Sequence, residues 1–202
     1  MKDTLLVSTI AMSLALPIQS FAQEKNQPKS HEGLYLGSTV GFTGSSSVSE
    51  NDSSVNELLD SDLELSTGLY AGYEFNILEN FNVAAEFDLY FWGNYEDVSR
   101  LPAEAHVLST TLNIKPKYYF TENLFVGGSL GYGQHKFTYD NYSIFADTGF
   151  SFKENGLTYG IEAGYQHTKG VMVSLGYRAA NFKYQNATFN LASTYIGLGY
   201  KF

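Results

Sequence analysis

An alternation of apolar and polar residues returns eight times between residue 33 and the carboxyl end of the chain. In FNVAAEFDLYF, residues 81–91, every odd position is apolar, whereas Asn82, Glu86 and Asp88 stand at even positions. A period of two places successive side chains on opposite faces of a β-strand. The sequence therefore predicts an all-β protein of eight antiparallel strands.

The connections between these segments alternate in length. NILEN, TEN and TKG are short. Residues 44–62, 93–105 and 135–155 form long connections, the last with a base that could belong to its flanking strands, and residues 181–188 form a shorter connection on the same side. Transmembrane barrels have short periplasmic turns and longer extracellular loops. The 16% aromatic content and 19 glycines also suit strands and tight turns better than a helical bundle.

Alternation alone also describes a soluble sandwich or a lipocalin-like barrel, so the character of the polar face decides. That face is rich in Gly, Ser, Thr and Tyr, and it carries charges of both signs that could neutralise one another in a barrel interior: Glu86, Asp88, Lys115, Lys117, Glu162 and Arg178. Aromatic residues mark the short-turn end of the apolar face, as a membrane interface selects: Phe75, Phe81, Tyr118, Phe120, Tyr165, Tyr200 and Phe202. In lipid an open sheet edge would leave backbone groups unpaired. We therefore expect an eight-stranded antiparallel transmembrane β-barrel.

The amino end has the layout of a secretory signal peptide. Lys2 precedes an apolar run from Leu5 to Leu16, and small residues flank Phe21, which predicts cleavage after Ala22. We expect three parts: a signal peptide over residues 1–22, a flexible periplasmic lead-in over 23–32 and the barrel over 33–202. The chain contains no cysteine, so neither a disulfide nor a lipid-modified cysteine is available after export.

The ending YIGLGYKF carries a family resemblance. Together with the signal peptide and the eight alternating segments, it resembles the small eight-stranded outer-membrane barrels of the OmpA transmembrane-domain and OmpX type, which include porin-like proteins. The resemblance implies the outer membrane of a Gram-negative bacterium, with lipid and lipopolysaccharide as surroundings. It also implies recognition by the barrel-assembly machinery, with Tyr195, Gly197, Tyr200 and Phe202 on the positions of the family's assembly signal.

An eight-stranded barrel has an interior just wide enough for side chains to fill. The interior charges are therefore interpreted as a structural salt-bridge network, with a gate or ion path as the sharper alternative. The function expected is a non-enzymatic, surface-exposed barrel protein. A small porin-like channel for ions or small solutes is the alternative, and a lipid A-modifying enzyme is a weaker one.

The predicted outer loops carry most of the net charge of −9. One interpretation is a solvated surface, bridged to lipopolysaccharide phosphates by divalent cations. The other is a surface for adhesion or for a basic host or phage partner, where charge sets encounter rate and specificity. Its candidate residues are Glu50, Asp52, Glu57, Asp60, Asp62, Tyr139, Tyr142 and Phe145. The aromatic residues among them are either anchors or barrel wall that continues above the membrane.

Catalysis finds little support in the sequence. His106 and His135 lie near the outer rim close to Ser109, but strand parity puts the two histidines on opposite faces. The metalloprotease motif H-E-x-x-H does not occur. No catalytic residue, metal site or cofactor is predicted, and the acidic balance argues against a nucleic-acid partner.

Overall fold

The computed structural model describes residues 31–50, 65–96, 103–143 and 146–202. In these residues eight antiparallel strands close into one barrel, in sequence order, which confirms the predicted fold class. The strands are β1 (Gly33–Glu50), β2 (Ser66–Leu78), β3 (Phe81–Glu96), β4 (Ala103–Tyr119), β5 (Leu124–Ser143), β6 (Ala146–Gln166), β7 (Val171–Tyr184) and β8 (Ala187–Lys201). No helix long and apolar enough to cross a membrane occurs within these ranges.

The first and last strands close the ring. Their register runs from the pair Tyr35 and Lys201 to the pair Glu50 and Ala187, with a shift at Gly41–Thr43. Beyond β8, the backbone N–H of Phe202 donates to the carbonyl of Leu34 at 2.9 Å. Closure leaves no free sheet edge, as a barrel in lipid requires.

The strands extend further from the short turns than the sequence predicts. β1 continues to Glu50 inside the predicted loop 44–62, and β5 and β6 pair as far as Ser143 and Ala146 inside the predicted loop 135–155. The last connection narrows to a turn at residues 185–186, where Gln185 has φ 52°. Beyond the membrane a strand does not need an apolar outward face, so its polar sequence resembles that of a loop.

The outward face is apolar and exposed, as the alternation predicts. Most of its large side chains are 39–69% exposed, whereas Val83 and Phe91 are half-buried. At the short-turn end, the predicted girdle aromatics are exposed to between 43% and 63%, apart from Phe81, which is half-buried.

Glycines on the inward face make room for tyrosines. A Cβ added at Gly72 would lie 2.6 Å from the hydroxyl oxygen of Tyr35 and 2.6 Å from the carbonyl oxygen of Ala85. The ring of Tyr195 occupies the corresponding space beside Gly176. A narrow barrel can hold such large side chains only where the facing residue has none, which explains why glycine and tyrosine are both abundant here.

Candidate functional site

The middle of the barrel interior holds a cluster of buried charges. The Nζ of Lys115 lies 3.2 Å from Glu86 and 3.0 Å from Glu162, and Lys117 lies 3.8 Å from Glu162. The Tyr35 hydroxyl donates to Glu86 at 3.0 Å. A narrow cavity beside these ion pairs is lined by Tyr70, Phe125, Met172 and Ser174, among others.

A second ion pair lies nearer the outer end. Arg178 approaches Asp88 to 2.7 Å, and the Asn113 amide donates to the same carboxylate oxygen at 3.3 Å. The guanidinium also lies over the rings of Tyr90 and Tyr195, 4.6 and 5.3 Å from their centroids. The structure thus places all six charged residues singled out by the sequence analysis inside the barrel.

Two further charges at the periplasmic end were missed as members of this set. The fully buried Glu74 lies 3.2 Å from Lys117 and 2.9 Å from Lys201. It also accepts hydrogen bonds from Asn82 at 2.7 Å and Tyr119 at 2.8 Å. Both missed residues share the parity of their strands' inward faces, which could have identified them. With them, the interior of the described barrel pairs four carboxylates with four cations, so that its formal charge is zero.

The lead-in reaches this periplasmic layer. The His31 ring stacks on Tyr119 with centroids 3.8 Å apart and an interplanar angle of 8°. The Nζ of Lys201 donates to the His31 carbonyl at 2.8 Å. Burial, and then the nearby Lys201 cation, lower the pKa of the His31 imidazole. Residues 31 and 32 are the described part of the predicted lead-in, and the predicted signal peptide lies outside the described residues.

The outer end of the interior is apolar, whereas the alternation predicted a polar inward face throughout. Trp92, Val107, Phe137, Phe182 and Leu191 are buried there in one cluster. Phe182 and Phe189 stack with centroids 5.0 Å apart, and Phe152 stacks on Tyr184 at 3.9 Å. We call these eight residues together with Tyr139 the outer aromatic core.

The candidate loop residues divide between this core and parts of the chain that are not described. Tyr139 is half-buried in β5 and packs against the core, so it is wall of the barrel rather than a loop anchor. Glu50 ends β1 and Tyr142 lies in β5. Asp52, Glu57, Asp60, Asp62 and Phe145 lie outside the described residues.

A serine and a histidine meet just below the outer aromatic core. The Trp92 indole donates to the Ser109 hydroxyl at 2.7 Å, and the same hydroxyl lies 2.7 Å from Nδ1 of His135. The two residues are 1% and 0% exposed, and Nε2 of His135 has no hydrogen-bond partner in the described structure. In the described structure no third polar group holds Nε2 of His135, as the orienting residue of an acyl-transfer triad would, and both residues are buried. The described residues also hold no cluster of three or more potential metal ligands.

Comparison with known proteins gives the architecture its family. Residues 8–202 match the family described as Outer membrane protein beta-barrel domain. The chain belongs to this family. It is therefore an outer-membrane protein of the kind typical of Gram-negative bacteria.

Two solved outer-membrane barrels are similar in fold. Neisserial surface protein A is 17% identical, with a TM-score of 0.55 over 84% of this chain and 97% of that one. Ail, the attachment invasion locus protein of Yersinia pestis, solved with the heparin analogue sucrose octasulfate, is 18% identical, with a TM-score of 0.50 over 83% of this chain and 99% of that one. No curated protein matches the sequence.

In this outer-membrane β-barrel the residues of the expected assembly signal lie on two faces of β8. Tyr195 and Gly197 share the inward face, where the Tyr195 hydroxyl donates to Glu162 at 3.2 Å. Tyr200 and Phe202 point outward, 44% and 45% exposed, with ring centroids 5.1 Å apart. The two aromatics are therefore accessible at the periplasmic end.

Proposed function

We propose that this outer-membrane β-barrel is a non-enzymatic surface protein that acts outside the membrane, in adhesion or as a receptor, while its interior stays closed. The observation that carries the proposal is the length of the β5–β6 hairpin. Its strands have 20 and 21 residues, whereas a tilted strand needs about 9–11 to cross the hydrocarbon. About half of the hairpin therefore stands beyond the hydrocarbon.

The outer aromatic core gives this projection its rigidity. Phe137 of β5 packs against β6 and β8. Its ring centroid lies 5.1 Å from that of Phe152 and 5.7 Å from that of Phe189. Stacked rings bury large areas and hold preferred geometries. A preformed surface loses little conformational entropy when it binds a partner, and this favours recognition.

The acidic segment between β1 and β2 adds charge to that surface. Residues 51–64 contain five carboxylates and no Lys or Arg. A surface of one sign attracts a basic partner and speeds its encounter, so we propose a basic patch on a host or phage protein as ligand. The likeness of the fold to an attachment invasion locus protein is consistent with this assignment.

The closed interior distinguishes this proposal from a channel. The paired charges are already neutralised by one another, and an apolar core lies above them, so neither layer offers a continuous polar path for ions. Purified protein in planar bilayers should give no steady, discrete conductance. Such a conductance in the wild-type barrel would overturn the closed-lumen proposal.

We propose that the Ser109–His135 pair has a structural role and is not catalytic. Lipid A extracted from cells with and without the protein should have the same mass spectrum. A new acylated or deacylated species that disappears in Ser109→Ala would refute the non-enzymatic assignment.

The adhesion proposal is tested by removing the acidic segment without touching the barrel wall. Residues 45–50 pair with β8, so the deletion should begin after Glu50 and remove residues 51–62, with a short Gly-Ser linker in their place. A second variant keeps the length and replaces the four acidic residues among 51–62 by Asn or Gln. We expect both variants to fold, as judged by heat-modifiable gel mobility, and to lose binding to host cells or phage. Unchanged binding of both ligands would exclude this segment as the docking surface.

A further inference from the structure

Three exposed lysines lie on the outward face of neighbouring strands, near the outer end of the barrel. They are Lys136 in β5, Lys153 in β6 and Lys183 in β7. The chain has a net charge of −9 and only 12 Lys and Arg residues. Four of these cations are buried in the barrel interior. Three of the remaining ones occur together on one sector of an otherwise acidic protein.

The sheet register brings the three side chains close together. Lys136 lies directly opposite Lys153, which places their Cβ atoms about 4.5–5.5 Å apart. Phe182 pairs with Gly156, so the next residue, Lys183, lies beside Asn155 and diagonal to Lys153. A diagonal pair is about 7–8 Å apart. The three flexible stems can therefore direct their ammonium groups to one anion.

Their height matches the polar boundary of the membrane. The outward apolar residues nearest to them on the same strands are Tyr132, Leu157 and Tyr177, all exposed. Each lysine is four to six positions nearer to the outer end of its strand than this apolar residue, which corresponds to about 10–15 Å for tilted strands that rise about 3.3 Å per residue. On β4, the exposed Leu108 lies directly opposite Lys136. The lysines thus lie just above the hydrocarbon and face sideways, toward neighbouring lipid headgroups.

No ion pair neutralises these charges among the side chains that the structure describes. Like charges directly opposite each other destabilise an antiparallel pair. The facing lysines of β5 and β6 therefore impose a small penalty on the empty barrel, and a bound anion would remove it. The acids of the barrel interior are on the other side of the wall and are already paired.

We propose that Lys136, Lys153 and Lys183 form a lateral binding site for the phosphate groups of the outer-leaflet glycolipid, lipopolysaccharide. An ammonium is a compact, strongly hydrated charge that binds phosphate as a point charge. The sideways orientation at headgroup height favours a lipid over a soluble anion. This site depends on the membrane location of the barrel and not on the adhesion function proposed above.

The test compares lipid retention by the full chain after reconstitution. The triple variant K136Q/K153Q/K183Q, the charge-preserving triple Arg variant and the control Lys169→Gln, in the turn at the other end, are placed in nanodiscs with bis-phosphorylated or dephosphorylated lipid A. Retained lipid A is measured by native mass spectrometry. We expect the triple Gln variant to bind phosphorylated lipid A about 100-fold more weakly, because each lysine near an anionic surface contributes about fivefold. Wild type, the Arg variant and K169Q should bind alike, and all four proteins should bind the dephosphorylated lipid weakly.

Equal retention of phosphorylated lipid A by wild type and the triple Gln variant would overturn the proposal. A sulfated polysaccharide is the competing source of anionic groups. If the triple Gln variant lost binding to heparin but kept its lipid A, the site would be a glycan site and the lipid assignment would be wrong. All variants should show wild-type heat-modifiable mobility, which establishes that they are folded.

Stability provides a second readout with opposite signs. In an uncharged detergent Lys153→Gln should unfold at the same or a higher denaturant concentration than wild type, because it removes the repulsion with Lys136. In micelles that contain phosphorylated lipid A it should unfold at a lower one. Destabilisation of equal size in both media would contradict an anion site at these lysines.

Discussion

The Nζ of Lys201 lies 2.9 Å from a carboxylate oxygen of Glu74, so the penultimate residue of the chain is held inside the barrel by β2. The pair reaches across β1, which lies between β8 and β2 in the sheet. The outward neighbours of Lys201 are Tyr200 and Phe202, both exposed. The carboxyl end of the chain is therefore fixed from within, while its aromatic residues remain available outside.

Replacing Glu74 by Ala should destabilise the barrel strongly. The substitution leaves Lys117 without its nearer carboxylate and Lys201 without its ion pair, and removal of one partner from a buried ion pair costs about 3–5 kcal/mol. The matched control is Glu79→Ala in the exposed turn after β2, which should change the free energy of unfolding by less than about 0.5 kcal/mol. Urea unfolding in lipid vesicles measures both variants, and equal effects would contradict a special role for the buried pair.

Gly72→Ala tests the packing of glycines against tyrosines. The added methyl group would meet the Tyr35 hydroxyl and the Ala85 carbonyl, each 2.6 Å away, so a side chain and the backbone would both have to move. Overpacking of this kind costs about 1–3 kcal/mol. Gly128→Ala is the control, because its nearest contact would be 3.8 Å away. In the same measurement Gly128→Ala should have a free energy of unfolding close to that of wild type. An equal loss of stability in both variants would show that it comes from replacing any strand glycine and not from the contact with Tyr35.

The period of two predicted the fold because each strand of the barrel has lipid on one face and the polar interior on the other, so apolar and polar residues must alternate along it. Along β3, lipid faces Phe87 and Leu89 while the interior faces Glu86 and Asp88, so each residue reports its side. The interior cations that pair with these carboxylates, Lys115 and Arg178, could also be predicted, because strand parity places them inside and charges of both signs can neutralise one another. The specific pairs could not, because they depend on strand register, which single-strand alternation leaves open.

The outer end of the barrel was predicted less well because the apolar residues change from the outward to the inward face there. Beyond the hydrocarbon the outward face becomes polar, as at Lys136 and Lys153, and the interior becomes apolar, as at Phe137 and Phe182. The alternation then has the phase of a soluble barrel. A switch of phase within one strand is the signal that distinguishes such a projecting wall from a loop, and in β5 it is visible in the sequence GQHKF, residues 133–137.

The contact between His31 and Tyr119 should depend on pH. Burial and the Lys201 cation lower the pKa of docked His31 below its ordinary value of 6.5, so the docked segment binds protons less readily than the free segment. Docking is therefore complete above about pH 6.5 and is lost as the pH falls through the lowered pKa. Amide hydrogen exchange of the first residues of β1, compared with that of His31→Phe at each pH, measures the release. The Phe variant keeps the stacking but cannot titrate, so equal pH dependence in both proteins would refute the assignment.

Phe202→Asp, or deletion of Phe202, should impair assembly in the outer membrane. The exposed ring stands beside Tyr200 at the end of the strand that closes the barrel, on a position of the assembly signal that the family resemblance implies. Phe120→Asp is the matched control, because Phe120 is a similarly outward aromatic of the same periplasmic girdle and is 63% exposed. The amount of heat-modifiable barrel in outer-membrane fractions should fall well below that of the control for the Phe202 variants. Wild-type amounts of the Phe202 variants would exclude the terminal aromatic as an assembly signal, and an equal loss in Phe120→Asp would assign the effect to the girdle as a whole.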